Sequence, residues 1–210
     1  WNNYRLEYGE GHNTGSNQNR NLFNELEYRS IQGANSSSRY MSTYLNADYS
    51  LDNRYFLSLA MAMDASSRFG KETQGGLQLF DRSWAVFPSL NVGWLVSSER
   101  FMQNASFVNH LKLRAGYGLS GNDDIDPYAA LGYLSSMPYM KRANGLVIGN
   151  IANPEVQWET TSKLAGGIDA HLFNNRVALS FDAYQHKTSD LLVLRPYPEV
   201  AGQGYYWGNE

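Results

Sequence analysis

The chain has 210 residues with 19 Gly, 15 Tyr, 9 Phe, 5 Trp and no Cys, a formal net charge of -3 and a negative mean hydropathy. No apolar run approaches the roughly 18 residues of a membrane-spanning helix, so any membrane contact falls to strands. The dispersed Lys and Arg leave no basic face for nucleic acid, and the lack of Cys excludes a disulfide scaffold, a thiolate metal centre and a thiolate nucleophile. The opening stretch, WNNYRLEYGEGHNTG, shows no basic segment followed by an apolar one, so the chain reads as cytoplasmic or as an internal piece of something longer.

Residues 1–39 are polar and rich in Asn, Gly and Ser. They predict an extended loop with weak structure of its own, with room for a helical turn or two around Leu22, Phe23, Leu26 and Tyr28. Over 40–51, Met41, Leu45, Ala47, Tyr49 and Leu51 alternate with Ser42, Tyr44, Asn46, Asp48 and Ser50. Over 54–65, Tyr55, Leu57, Leu59, Met61 and Met63 oppose Ser58, Ala60, Ala62 and Asp64, with Phe56 as the exception. Both stretches predict strands with one apolar face, joined at a tight Asp52-Asn53 turn. A polar loop follows at 66–83.

The next strand, 84–97, places Trp84, Val86, Leu90, Val92, Trp94 and Val96 on one face, and Pro88 within it predicts a bulge or local break. Residues 98–110 predict a short helical or irregular connection with Ser98 as N-cap. Alternation returns at 111–119, where Leu111, Leu113, Ala115, Tyr117 and Leu119 oppose Lys112, Arg114, Gly116 and Gly118. A second long loop spans 120–156. Strands at 157–172 and 176–187 flank Phe173-Asn174-Asn175, and 188–210 is again loop-like.

Short connections therefore alternate with long polar loops, so up-and-down strands bring all the long loops to one side. Transmembrane β-barrels show this asymmetry, while a soluble β-sandwich shares the alternation of its strands. Two features favour the barrel. The inward faces repeatedly carry polar or charged groups (Asp48, Asp64, Lys112, Arg114, Asp169, His171, Asp182, His186), which are costly in a dry core unless paired. The outward faces place aromatics near strand ends (Tyr49, Tyr55, Trp84, Trp158), like an interfacial girdle.

Catalytic constellations are weak. His12, His110, His171 and His186 lack metal-ligand spacing, Ser120 lacks the context of a nucleophile elbow, and Asn122, Asp123, Asp124 and Asp126 do not follow EF-hand spacing and read as a solvated acidic loop. These residues predict no catalytic site, no metal site and no cofactor.

Four blocks carry a resemblance: YLNADYSLDNRYFLSLAMAMDASSRFG from Tyr44, FPSLNVGWLVSSERF from Phe87, LKLRAGYGLSGNDDI from Leu111, and NPEVQWETTSKLAGGIDAHLFNNRVALSFDAYQHKTSDLL from Asn153. Together they resemble the C-terminal barrel region of the SusC/RagA family of TonB-dependent outer-membrane transporters, over about residues 40–197. Ser66-Ser67-Arg68-Phe69-Gly70, Phe87-Pro88-Ser89 and Trp158-Glu159 look like family signatures, whereas Met63-Asp64-Ala65 stands where the family usually has a basic residue and Asp-Gly.

The resemblance implies an all-β, antiparallel, up-and-down fold: about six strands of a bacterial outer-membrane barrel of about 22 strands with a plugged lumen. Residues 1–39 would be an extracellular loop region, 40–187 barrel strands with long loops at 66–83 and 120–156, and 188–210 the start of the next extracellular loop. It implies import of oligosaccharides or peptides beneath a SusD-like surface lipoprotein, driven by the TonB system through parts not in this chain. Asp48, Asp64, Arg114, Asp182 and His186 are then expected to face the lumen, and Leu57, Leu59, Met61, Leu113, Val177, Leu179 and Phe181 the lipid. Candidate ligand contacts are the loop aromatics Tyr128, Tyr133, Tyr139, Tyr205, Tyr206 and Trp207, with Asn122 and Asn144 as hydrogen-bonding partners, because a large polar ligand suits exposed aromatics and amides. The other reading of the chain is a soluble lectin-like β-sandwich binding glycans.

Overall fold

The computed structural model describes residues 2–13, 26–139, 143–198, 200, 202 and 204–210. Its strands are β1 (Asn2–Asn13), β2 (Leu26–Ser38), β3 (Tyr40–Leu51), β4 (Tyr55–Ser66), β5 (Leu77–Leu79), β6 (Arg82–Leu95), β7 (Val108–Asn122), β8 (Tyr133–Tyr139), β9 (Ala143–Asn150), β10 (Glu159–Leu172), β11 (Val177–Ser189), β12 (Leu192–Pro196) and β13 (Tyr205–Asn209). The unit Trp1–Arg39 contains the β1–β2 hairpin, and Tyr40–Glu210 forms a second unit.

The second unit is built on one sheet with the order β11-β10-β7-β6-β4-β3, onto which β5 pairs at β6. Each neighbour on this path is antiparallel and the path keeps chain order, with β5 and the β8–β9 pair inserted in the connections between its strands. The sheet is thus up-and-down, and its six long strands fall where the hydrophobic alternation places them, with ends shifted by up to three residues. Sheet pairing outruns the apolar pattern, however: β7 starts at Val108 and ends at Asn122, where Gly121 and Asn122 still pair with Thr160 and Glu159. A backbone ladder needs no apolar side chain to continue.

The short connections are built by left-handed residues. Asp52 and Asn53 have φ of 52° and 51°, and the amide of Arg54 donates to Leu51 O at 2.9 Å, the geometry for which Asn and Asp are favoured. Phe173, Asn174 and Asn175 also have positive φ. Between β6 and β7 the chain makes two 3-10 turns, Val96–Ser98 and Arg100–Met102, capped at Leu95 and Glu99 without side-chain cap bonds, so Ser98 is not an N-cap. Pro88 pairs opposite Met61 without a register shift against β4, while pairing of β6 with β7 starts only at Ser89. The break that proline introduces is confined to one ladder.

The segments read as loops contain more order than their composition suggests. Residues 2–13 and 26–38 are paired strands, and Leu26 and Tyr28 are extended, not helical; Leu22 and Phe23 lie outside the described residues. The 120–156 segment holds the β8–β9 hairpin, 66–83 holds β5, and 188–210 holds β12–β13. Gly, Asn, Ser and Pro at strand positions of these short hairpins break the one-sided apolar alternation that betrays a long half-buried strand.

The buried core does not lie between two sheets. It gathers at the long-loop end, where Phe69, Ala85, Ile125, Ala129, Ala130, Val156 and Trp158 form one cluster, flanked by Phe87, Leu192 and Trp207. Val156 is 0 % and Trp158 4 % exposed, so Trp158 belongs to this loop core and not to an outward girdle. Gly70 is essential to the packing: a Cβ there would sit 1.7 Å from Pro154 O.

Candidate functional site

Paired residues in neighbouring strands share a face, and the register therefore sorts the whole sheet. One rung runs Asp48, Ser58, Asn91, Gly116, Ala165, Tyr184; the next, on the opposite face, runs Tyr49, Leu57, Val92, Ala115, Gly166, Ala183. A further rung of the second face runs Leu51, Tyr55, Trp94, Leu113, Ile168, Phe181. Asp48, Asp64, Arg114, Asp182 and His186 all fall on the first face, and Leu57, Leu59, Met61, Leu113, Val177, Leu179 and Phe181 on the second. The apolar face is not covered by another sheet among the described residues: Leu45 is 65 % and Phe181 68 % exposed. A β-sandwich would bury this face, so the lectin-like reading fails here.

The polar face is a shallow trough of about 440 Å³ whose floor is largely glycine and alanine: Gly93, Gly116, Ala165 and Gly167. Charged groups lie across it. Arg114 grips Asp169 with two nitrogens, Nε at 2.7 Å and Nη2 at 3.1 Å, and reaches Asp182 Oδ1 with Nη2 at 2.9 Å. Gly167 lies between Arg114 and Asp182 in the register, and a Cβ at that position would be 2.3 Å from Asp182 Oδ1 and 2.9 Å from Arg114 Nη2. Its missing side chain is what lets the guanidinium span two strands. Ser180 Oγ donates to Asp169 at 2.8 Å. On the far side of the trough Asp48 accepts hydrogen bonds from Asn46 Nδ2, at 2.8 Å, and from Ser58 Oγ. The Lys112 ammonium lies 4.9 Å from the centre of the Phe56 ring, which explains why a phenylalanine stands on this face: it covers the lysine stem and meets the cation.

At the short-turn end the apolar face is rimmed by aromatics. Tyr55 and Trp94 stack with centroids 6.4 Å apart, Trp94 meets Phe101 edge-on at 6.5 Å, and Phe107 lies 6.1 Å from Phe173. Glu99 ties this rim together, accepting from Tyr55 Oη at 2.6 Å and Trp94 Nε1 at 3.2 Å, with Arg54 Nη1 at 3.6 Å. The Tyr55 hydrogen bond, then that of Trp94, then the Arg54 charge hold the Glu99 carboxyl below the usual carboxylate range. The sequence does not single out Glu99, because two of its three partners, Arg54 and Tyr55, come from the β3–β4 hairpin.

The long-loop end is joined by amides. Gln157 accepts from the backbone of Gln74 and Gly75 at 3.1 and 3.0 Å through its side chain. Asn209 accepts from Gln157 N at 2.9 Å and donates to Gln157 O and Asp190 O at 2.9 and 2.8 Å. Asn153 Nδ2 donates to Trp207 O at 2.8 Å. The loop segments of 66–83, 120–158 and 190–210 are thus packed together at one end.

The proposed ligand contacts are distributed unevenly over these loops. Tyr133 and Tyr205 are exposed, 48 % and 58 %. Tyr128 is held at a positive φ of 71° in the segment before β8. Asn122 is exposed and accepts from Asp124 N at 3.2 Å, closing a local turn. Tyr206 sits edge-on to Tyr197 at 5.8 Å, and Trp207 packs against the loop core, so these two brace the loop. The side chains of Tyr139 and Asn144 lie outside the described residues. Among the described residues no group of three or more His, Asp or Glu converges as a metal site.

A polar, charge-lined face, a lipid-like face with an aromatic rim, and long loops gathered at one end define a wall segment of an outer-membrane β-barrel. The family model "TonB dependent receptor-like, beta-barrel" matches residues 1–210, and the chain belongs to this outer-membrane family, of SusC/RagA type. It is 34% identical over 192 residues to TonB-dependent receptor P3 of Formosa agariphila, covering 85% of this chain and 18% of that protein. It is 33% identical over 159 residues to TonB-dependent receptor SusC of Bacteroides thetaiotaomicron, covering 72% of this chain and 15% of SusC. Among solved structures it superposes on the RagAB peptide importer in the "open-open" state with a TM-score of 0.74 and 25% identity, covering 99% of this chain and 23% of that one. The chain thus spans less than a quarter of the length of these relatives.

Proposed function

We propose that this segment forms part of the wall and outer mouth of an energised importer for oligosaccharides or peptides, within a barrel of about 22 strands. The observation that carries the reading is the coincidence of two asymmetries: charged side chains concentrated on one face, with Arg82 and Lys187 on the other only near its loop end, and long loops gathered at one end. The polar trough then lines the lumen, the exposed apolar face meets lipid, and the loop cluster is extracellular. Tyr128, Tyr133 and Tyr205 are the described aromatics best placed to touch ligand at the mouth, with Asn122 as an exposed amide on the same loop as Tyr128, while Tyr206 and Trp207 shape the loop that presents Tyr205. Similarity to a protein described as a peptide importer and to SusC supports import, with a surface lipoprotein as partner and the TonB system as the energy source.

Deleting the parent gene should abolish growth on one defined oligomeric glycan or peptide source while sparing growth on its monomers. Unchanged growth on every such source, with the protein still in the outer membrane, would refute import. For the orientation, a cysteine at Gly75 should be labelled from outside intact cells and one at Asn174 should not.

A further inference from the structure

The register brings two histidines that are far apart in sequence onto a single rung. His110 of β7 lies directly opposite His171 of β10, on the same face as Lys112 and Asp169, with ring centroids 5.3 Å apart and planes at 49°. A bulge follows at once: His171 pairs with His110 but Leu172 pairs with Val108, so Asn109 is the extra residue. Its side-chain oxygen accepts from Asn175 N at 3.2 Å, which anchors the bulge to the next turn. Bulges re-aim the side chains beside them, and this one flanks the imidazole pair.

We propose that His110 and His171 form a two-nitrogen chelate for a divalent transition-metal ion of the copper, nickel or zinc type. Two imidazoles bound to one tetrahedral ion through bonds of about 2.0–2.1 Å place their ring centroids about 5 Å apart, which matches the observed spacing. Imidazole is the ligand these ions favour. The neighbouring charges do not compete for the site. Asp169 is held by Arg114 and Ser180, and the Lys112 ammonium, one rung along, sits 4.9 Å from the Phe56 ring centre. With two protein ligands the ion keeps open positions, filled by water or by a donor arriving along the polar face.

The test is copper titration of the full-length parent barrel in detergent, followed by electron paramagnetic resonance. A signal with two coordinated nitrogens is expected, surviving His186→Ala, with at least tenfold weaker copper binding in His110→Ala and in His171→Ala. His110→Asn and His171→Asn, which keep a polar side chain in place, should show the same loss and preserve a folded barrel should the alanine variants misfold. Copper binding unchanged in folded variants at either position, or absent from the wild-type protein, would overturn the proposal.

Discussion

The two faces of the main sheet share one backbone but are stabilised by different means. The apolar face makes few contacts of its own: Leu45 and Phe181 stand exposed, and the described partners are aromatics gathered at the turn end. The polar face is cross-linked within itself, by Arg114 across β7, β10 and β11 and by Asp48 across β3 and β4. One face has a surrounding medium as its partner and the other supplies its own partners. In water the first face is a liability; in a bilayer it is an anchor, while the second keeps its charges paired with one another and still open to solvent.

The largest expected effect tests that contrast directly. Leu59→Arg in the full-length barrel should cost roughly 2–4 kcal/mol when the residue lies near the bilayer midplane, measured by denaturant unfolding from lipid vesicles. Ser58→Arg, one residue away on the opposite face, should cost far less. Equal losses would abolish the distinction between the faces.

Glu99 sharpens the comparison at the rim. A carboxyl whose pKa is lower in the folded than in the unfolded state stabilises the fold above the unfolded value, about 4.3 for Glu, and that contribution is lost as pH falls through the folded value. Glu99→Gln should therefore lower the melting temperature at pH 7, and the gap to wild type should close on acidification below about pH 4. A gap that persists in acid would assign the effect to packing.

The smallest effect is expected on the polar face. Arg114→Gln strands Asp169 and Asp182 beside each other, but both are solvent-accessible, and exposed ion pairs contribute little and are screened by salt. Its destabilisation should fall below that of Leu59→Arg and shrink in about 1 M salt. Gly167→Ala should reproduce it, since the added Cβ would push Asp182 and Arg114 apart; a silent Gly167→Ala would show that the bridge is dispensable.

Much of this was legible in the sequence because a sheet with two different surroundings must alternate. The six long strands of the main sheet, their faces and the Asp52-Asn53 turn follow from a period of two and from turn chemistry. What was hidden depends on neighbours remote in the chain. Trp158 directly precedes β10 and, by its position, belongs to an interfacial rim, yet the loops fold over it and make it core. The β1–β2 and β8–β9 hairpins carry Gly, Asn and Ser at strand positions, which conceals them from any reading based on composition. The candidate ligand contacts mix residues facing solvent, such as Tyr133, with residues such as Trp207 that hold the loops up. A Tyr or Trp in a polar loop looks the same in either role.

The amide seam at the loop end has a further consequence. Gln157, Asn209 and Asn153 fasten three separate loop segments through groups that neither gain nor lose a proton across the range of conditions a cell surface meets. The rim at the opposite end is tied through a carboxylate and responds to acid. If the loop end faces outward, these amide fastenings hold whatever the acidity outside the cell, and among the described residues only the Arg68–Asp123 and Lys71–Asp81 ion pairs beside them carry a carboxylate.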